Sequence, residues 1–206
     1  VRLAAENPLG TGKVTLNGAT AQLVFECSIM DGTKLVNEFE INDSTTEAQT
    51  FYFEYPNKIA SADLPYLEFD GPLTVNANMH LYAVWSNNVS YIKVAQFNNT
   101  VTAAGQIHFD SYTYPQSTKM SYYYMNGLVT AKSLYASGHS SSYSMPNVLL
   151  SHGTNSIGEL VGSYKGSFTA YAEDAFGGAA ITKTVVTRAD LNLNGKDQTC
   201  AYVNVT

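Results

Sequence analysis

Leu73-Thr74-Val75-Asn76-Ala77-Asn78-Met79-His80-Leu81-Tyr82-Ala83-Val84-Trp85 is the stretch on which the fold turns. Leu73, Val75, Ala77, Met79, Leu81, Ala83 and Trp85 fall on one side, and Thr74, Asn76, Asn78, His80 and Tyr82 on the other. Alternation of this kind belongs to a strand with one face buried and one face wet. Ser86-Asn87-Asn88 then reads as a turn and Val89 to Phe97 as the return strand, so the pair predicts a hairpin.

The same period extends outward. From Glu159 to Arg188, Leu160, Gly162, Tyr164, Gly166, Phe168, Ala170 and Ala172 alternate with polar residues. Phe176-Gly177-Gly178 reads as a turn, and Ile181, Val185 and Val186 as the return strand. Glycines inside the first of these strands predict a bulge or a close approach by another backbone. Further strand candidates are Lys13–Leu16, Gln22–Ser28, Leu35–Ile41, Thr50–Tyr55, Tyr66–Phe69, Ile107–Tyr114, Met120–Tyr124, Leu128–Tyr135 and Thr199–Val205. Only Ala131–Ala136 offers room for a short helix. About a dozen strands set apart by turn residues predict an all-β chain with a single β-sandwich, Ig-like or jelly-roll-like. The sandwich is expected over residues 13–206, behind an N-terminal extension over 1–12. No internal repeat or linker is read.

Composition narrows the function. The 206 residues carry a net charge of −6, and only 14% are charged. Nucleic acid and anionic membrane surfaces both demand a basic face, so neither is an expected partner. No apolar run is long enough to span a bilayer. Fifteen Tyr, with abundant Ser, Thr and Asn, supply a surface solvated through neutral hydrogen bonds. That composition predicts an extracellular or cell-surface location, and an opening Val1-Arg2-Leu3 without Met fits a processed chain. Cys27 and Cys200 sit in strand-like runs near opposite ends. In an oxidising compartment they are expected to pair, a loop closure worth at most about 5 kcal/mol. The alternative is two buried free thiols.

No catalytic residue is assigned, and the chain is expected not to be an enzyme. Gly162-Ser163-Tyr164-Lys165-Gly166 puts Tyr where a nucleophile elbow needs Ser. Ser151 and His152 are adjacent, so they point to opposite sides of a strand. Glu38 and Glu40 share a face, with Glu54, Glu68 and Asp70 elsewhere, but a glycosidase pair needs a cleft between two such groups. Asp190-Leu191-Asn192-Leu193-Asn194-Gly195-Lys196-Asp197 spaces oxygen donors like the start of a calcium loop, so Asp190, Asn192, Asn194 and Asp197 are the candidate metal ligands and calcium the ion. The competing and favoured reading is an Asn-Gly hairpin turn leading to Cys200. His80, His108, His139 and His152 show no ligand spacing, which disfavours zinc. Glycosylation sequons begin at Asn42, Asn88, Asn98 and Asn204.

Three functions compete. The first is a structural subunit of an extracellular filament that assembles head-to-tail. An extended tail beginning Val1-Arg2-Leu3-Ala4-Ala5, hinged at Gly10 and Gly12, would fill a strand-deficient groove in the next copy. With that tail and the sequons, the chain resembles donor-strand surface filament subunits, in particular archaeal thread-type or adhesion pilins. The resemblance implies a homopolymer serving adhesion or cell–cell contact, with host or neighbouring cell-surface glycans as further partners. The second is a receptor- or glycan-binding head, a virion spike or adhesin tip, using Tyr112, Tyr114 and Tyr122-Tyr123-Tyr124 and the Ser-Gly-His-Ser loop after Ala136. The third is a secreted glycan-acting enzyme.

Overall fold

The computed structural model describes residues 1–5, 8–27, 30, 32–45, 47–55, 67–86, 90–114, 119–138, 144–183 and 191–205. Among these the chain forms nineteen strands. The first coils hold β1 (Arg2–Leu3), β2 (Val14–Leu16), β3 (Leu23–Glu26), β4 (Lys34–Leu35), β5 (Phe39–Ile41) and β6 (Phe51–Tyr55). The middle coils hold β7 (Leu67–Phe69), β8 (Leu73–Val75), β9 (Met79–Ser86), β10 (Tyr91–Phe97), β11 (Val101–Tyr114), β12 (Lys119–Met125) and β13 (Val129–Ser137). The last hold β14 (Ser144–Leu150), β15 (Ser156–Ser163), β16 (Ser167–Ala170), β17 (Gly178–Lys183), β18 (Leu191–Asn192) and β19 (Cys200–Val205).

The all-β expectation holds, but the β-sandwich does not. The ladders within both sheets are parallel; β9, for example, lies between β6 and β11. A 12-stranded sheet runs β1-β3-β6-β9-β11-β13-β15-β17-β19, with β2, β5 and β8 joining it at β11. A 7-stranded sheet runs β18-β16-β14-β12-β10-β7-β4. The chain therefore winds as a β-solenoid, each coil adding one strand to the small wall and one strand, or two separated by a corner, to the large wall. Neither expected hairpin forms, because a tight turn joins only antiparallel neighbours. β9 and β10 instead belong to different walls, as do β16 and β17. Ala131–Ala136 is strand throughout, in β13.

Leu73 to Trp85 is two strands rather than one. β8 and β9 both pair with β11, at Val101–Ala103 and at Ile107–Tyr114. Asn76-Ala77-Asn78 is the corner between them, and its three residues preserve the alternation across the bend. Leu73, Val75, Met79, Leu81, Ala83 and Trp85 all remain buried.

Between the walls lies one core. Phe25 stacks on Phe53 at 5.3 Å, Phe51 on Phe69 at 5.6 Å, and Phe69 on Phe97 at 4.7 Å. Phe25 with Phe53 and Phe97 with Phe69 are register partners on parallel strands that stand about 4.8 Å apart, whereas Phe51 and Phe69 meet across the core from opposite walls. At the corners, side-chain amides do the equivalent. Asn42 donates to Asn17 at 2.9 Å and Asn76 donates to Asn42 at 2.6 Å. Asn98 donates to Asp70 at 2.7 Å and Asn126 to Asn98 at 3.1 Å. A β-carbon at Gly127 would lie 2.0 Å from the Asn99 carbonyl oxygen, so that corner closes only around glycine. The close approach expected near Gly162 and Gly166 occurs at Gly166, where a β-carbon would stand 1.9 Å from the Ala136 carbonyl.

Candidate functional site

The large sheet turns one row of side chains outward. Strand register arranges them in columns that run across the coils. Val24, Tyr52, Tyr82, Asp110 and Ser137 form one. Glu26, Glu54, Val84 and Tyr112 form the next. His80, His108, Tyr135 and Val161 form the third. The inward neighbours on these strands, Phe53, Leu81, Ala83, Ile107, Phe109 and Leu134, are fully buried and fix the backbone under the row.

The geometry within the row is close. Tyr52 and Tyr82 pair at 5.7 Å with a 31° tilt. His80 and His108 stack at 4.3 Å, 10° from parallel, and His108 continues onto Tyr135 at 4.6 Å. Burial, with the Asp110 carboxylate as a smaller contributor, pushes the Tyr82 hydroxyl well above the ordinary phenol range. Burial, and then Glu54, also raise the Tyr52 hydroxyl. Both phenols thus stay protonated and keep a hydrogen to donate.

His80 is the least comfortable member. Only 7% of it is exposed, yet neither ring nitrogen has a hydrogen-bond partner. Leaving such a group unsatisfied costs about 1–3 kcal/mol. Its backbone is fixed from the preceding coil: Thr50 N donates to the His80 carbonyl at 2.9 Å, and His80 N donates to Thr50 Oγ1 at 3.2 Å. His80 Nε2 stands 3.7 Å from Asp110 Oδ2, beyond hydrogen-bond range. One ligating atom each from His80, His108 and Asp110 lie within 4.8 Å of one another, so these are the described residues that could hold a metal.

The residues singled out from sequence go elsewhere. Cys27 and Cys200 are free thiols, so the expected disulfide is not formed. They sit at β3 and β19, seven strand steps apart along the large sheet, or about 34 Å, against the 4.4–6.8 Å that a disulfide allows. Burial pushes the Cys27 thiol up to about 12, which leaves it unreactive. Asp190 lies outside the described residues. Asn192 Oδ1 accepts from Asn194 N at 2.9 Å, and Lys196 N donates to the Leu193 carbonyl at 2.8 Å. Asn194 and Gly195 have φ of 51° and 71°. The Asn-Gly turn is there but makes no hairpin, since β18 lies in the small sheet and β19 in the large one, and Asp197 N donates to Glu173 at 2.6 Å.

Among the sequons, Asn88 lies outside the described residues and Asn204 is exposed. Asn42 and Asn98 already use their amide nitrogens in the corner ladders. Glu38 and Glu40 both grip Lys13, Glu54 shares Arg2 with Glu26, and Glu68 holds Lys34. The tail Val1-Arg2-Leu3-Ala4-Ala5 lies on its own chain. β1 pairs with β3, Val24 N donates to the Val1 carbonyl at 2.8 Å, and Leu3 is buried. Tyr123 is core, whereas Tyr122 and Tyr124 line the outer side of the small sheet at 6.3 Å.

The histidine pair escaped the sequence reading because linear ligand spacing was the wrong signal. His80 and His108 occupy the same place in consecutive coils, as do Asn78 and Gln106, whose cross-coil bond spans 28 residues. A repeat search at that period would have paired them. Among the described residues no helix is long and apolar enough to cross a membrane. Comparison with known protein families, with curated proteins and with solved structures finds no match for this chain.

Proposed function

We propose that this protein is an extracellular glycan-binding module whose large-sheet flank receives an extended, uncharged polysaccharide. The observation that carries this reading is the outward row of rings crossing the strands, Tyr52 with Tyr82 and His108 with Tyr135. A long linear ligand suits a site that repeats coil after coil. Each tyrosine offers an apolar body and a hydroxyl at low entropic cost. Asp110 and the Glu54–Arg2–Glu26 group add acceptors and donors for sugar hydroxyls. The net charge of −6 and these carboxylates disfavour an anionic polymer. The row binds rather than cleaves, since its Glu54 is committed to Arg2.

The test is affinity electrophoresis through a panel of neutral polysaccharides. The protein should be retarded by at least one, and Tyr52→Ala with Tyr82→Ala should weaken retardation at least tenfold. Tyr124→Ala, on the other wall, should leave it unchanged. Loss of binding with Tyr124→Ala alone, or no retardation by any neutral glycan, contradicts the reading. Release of soluble sugar over time would show an enzyme instead.

A second reading, assembly into a filament, draws on a different observation. β19 pairs with β17 on one side, and Tyr202 and Val203 stand 56% and 58% exposed. A strand edge with apolar side chains is a template for another copy. Stacking solenoids end to end would give a fibre without any donated tail. Long fibres under negative stain, lost with Tyr202→Lys and Val203→Lys, would support it; discrete particles in both samples would remove it.

A further inference from the structure

We infer that His80, His108 and Asp110 form a binding site for a divalent transition-metal ion of the zinc type. The inference stands on its own geometry and does not depend on the glycan reading.

Three donors of the right kind converge. His80 and His108 are register partners on adjacent strands, and Asp110 follows His108 by two residues on the same face. Their ligating atoms lie within 4.8 Å of one another, and the His80 Nε2–Asp110 Oδ2 separation is 3.7 Å. Ligands around a four-coordinate zinc at about 2.0–2.1 Å stand closer than this, and the two imidazoles, stacked 10° from parallel, turn out of that stack for their lone pairs to converge on one ion. The second observation is His80 itself, over nine-tenths buried with both nitrogens unpartnered and Nε2 facing Asp110. A metal ion gives that nitrogen the partner it lacks. Two imidazoles and one carboxylate select zinc, copper, nickel or iron(II) over calcium or magnesium, which prefer all-oxygen shells. Three protein ligands leave a position open to water or a sugar hydroxyl.

The frame is suited to holding such an ion. Both histidines stand on strands fixed by fully buried Met79, Leu81, Ile107 and Phe109. Asp110 Oδ1 accepts from Ser111 N at 2.7 Å, which leaves Oδ2 for the metal.

The test uses untagged full-length protein stripped with EDTA, desalted and titrated with Zn²⁺ against a chromophoric chelator. Bound zinc is counted by elemental mass spectrometry. One zinc per chain is expected. His108→Gln and Asp110→Asn should each weaken binding at least tenfold while the far-ultraviolet circular dichroism stays unchanged. His152→Gln should bind as the parent does, and millimolar Ca²⁺ should not displace the zinc. If His108→Gln fails to fold, Asp110→Asn carries the comparison, because it retains the Oδ1 acceptor. Absence of stoichiometric zinc, undiminished binding in Asp110→Asn, loss of binding in His152→Gln, or displacement by calcium would each overturn the assignment.

Discussion

The coils through residues 67–137 and those through residues 156–205 are built on different girths. In the first group, cross-coil hydrogen bonds join residues 28 apart: Asn98 to Asp70, Gln106 to Asn78 and Asn126 to Asn98. Toward the other end the span falls to 22 for Thr169 to Asn147 and 20 for Asn155 to Ala175. Girth sets what the inside can hold. The wide coils enclose Phe69, Trp85, Phe97 and Phe109, whereas the narrow end mixes Leu160, Phe168 and Phe176 with the small Ala170, Ala175 and Ala179. At β19 the side chains of Ala201 to Asn204 are exposed. In a stack where each coil touches only its neighbours, stability is a local sum, so the two regions should not melt with equal resistance. The metal-ligating members of the candidate site, His80, His108 and Asp110, lie on the wide coils.

Replacing the ring at the centre of the wide region gives the largest expected effect. Phe69 meets Phe25, Phe39, Phe51, Phe53 and Phe97. Phe69→Ala should cost about 3–5 kcal/mol in urea unfolding. Leu193→Ala, at a residue 45% exposed near the narrow end, should stay within about 0.5 kcal/mol. Equal losses at the two positions would break the comparison.

Next come two glycines that fail for different reasons. Gly127→Ala drives a β-carbon into the Asn99 carbonyl of the adjacent coil and should cost about 3 kcal/mol. Gly195→Ala meets nothing within 4 Å, but its φ of +71° should cost about 1–2 kcal/mol. The same thermal denaturation series reads both, and a cheaper Gly127 change would mean the corner can spread.

Much of this was legible in the residues, and the error had a physical source. The alternation from Leu73 to Trp85 put Leu73, Val75, Met79, Leu81, Ala83 and Trp85 correctly in the core, but it set His80, which is buried, on the wet face and Ala77, which is half-buried at the corner, on the buried one. It could not report the bend, because a three-residue corner keeps odd positions inward. Nor could it report the partner strand. Parallel sheets usually have both faces covered and read as continuous apolar runs. A solenoid leaves one face of each wall outside, so its strands carry the alternating signature of an antiparallel sandwich. The distinguishing signal was Phe69-Asp70-Gly71-Pro72-Leu73, Phe97-Asn98-Asn99-Thr100-Val101 and Met125-Asn126-Gly127-Leu128-Val129, recurring at the cross-coil period. Once the repeat is recognised, His80 falls beside His108 and Tyr82 beside Asp110. That places most of the candidate site. The reach of Asp110 toward His80 depends on a rotamer, which no repeat encodes.

Smaller effects sharpen the contrast. Asn98→Ala removes bonds to Asp70 and Glu68 and strands the amides of Gln96 and Asn126. About 1–2 kcal/mol should be lost, measured by urea unfolding. The smallest belongs to the exposed Lys13–Glu40 pair. Hydrogen bonding from Lys13, then Asn42, holds the Glu40 carboxyl below its ordinary value in the folded chain. A depressed folded value stabilises above the unfolded carboxylate range and is lost as pH falls through the folded one. Lys13→Gln should therefore lower the melting temperature slightly at neutral pH and converge with the parent in acid.

The solenoid itself is tested most directly by one distance. Nitroxide labels at Glu26→Cys and Tyr202→Cys, with Cys27→Ala and Cys200→Ala, sit on β3 and β19. Seven strand steps separate them, so pulsed electron–electron resonance should report one population near about 34 Å, broadened by the labels. A population below about 20 Å, as a sandwich whose sheets pack about 10 Å apart with these ends joined would give, contradicts the fold and the site built on it.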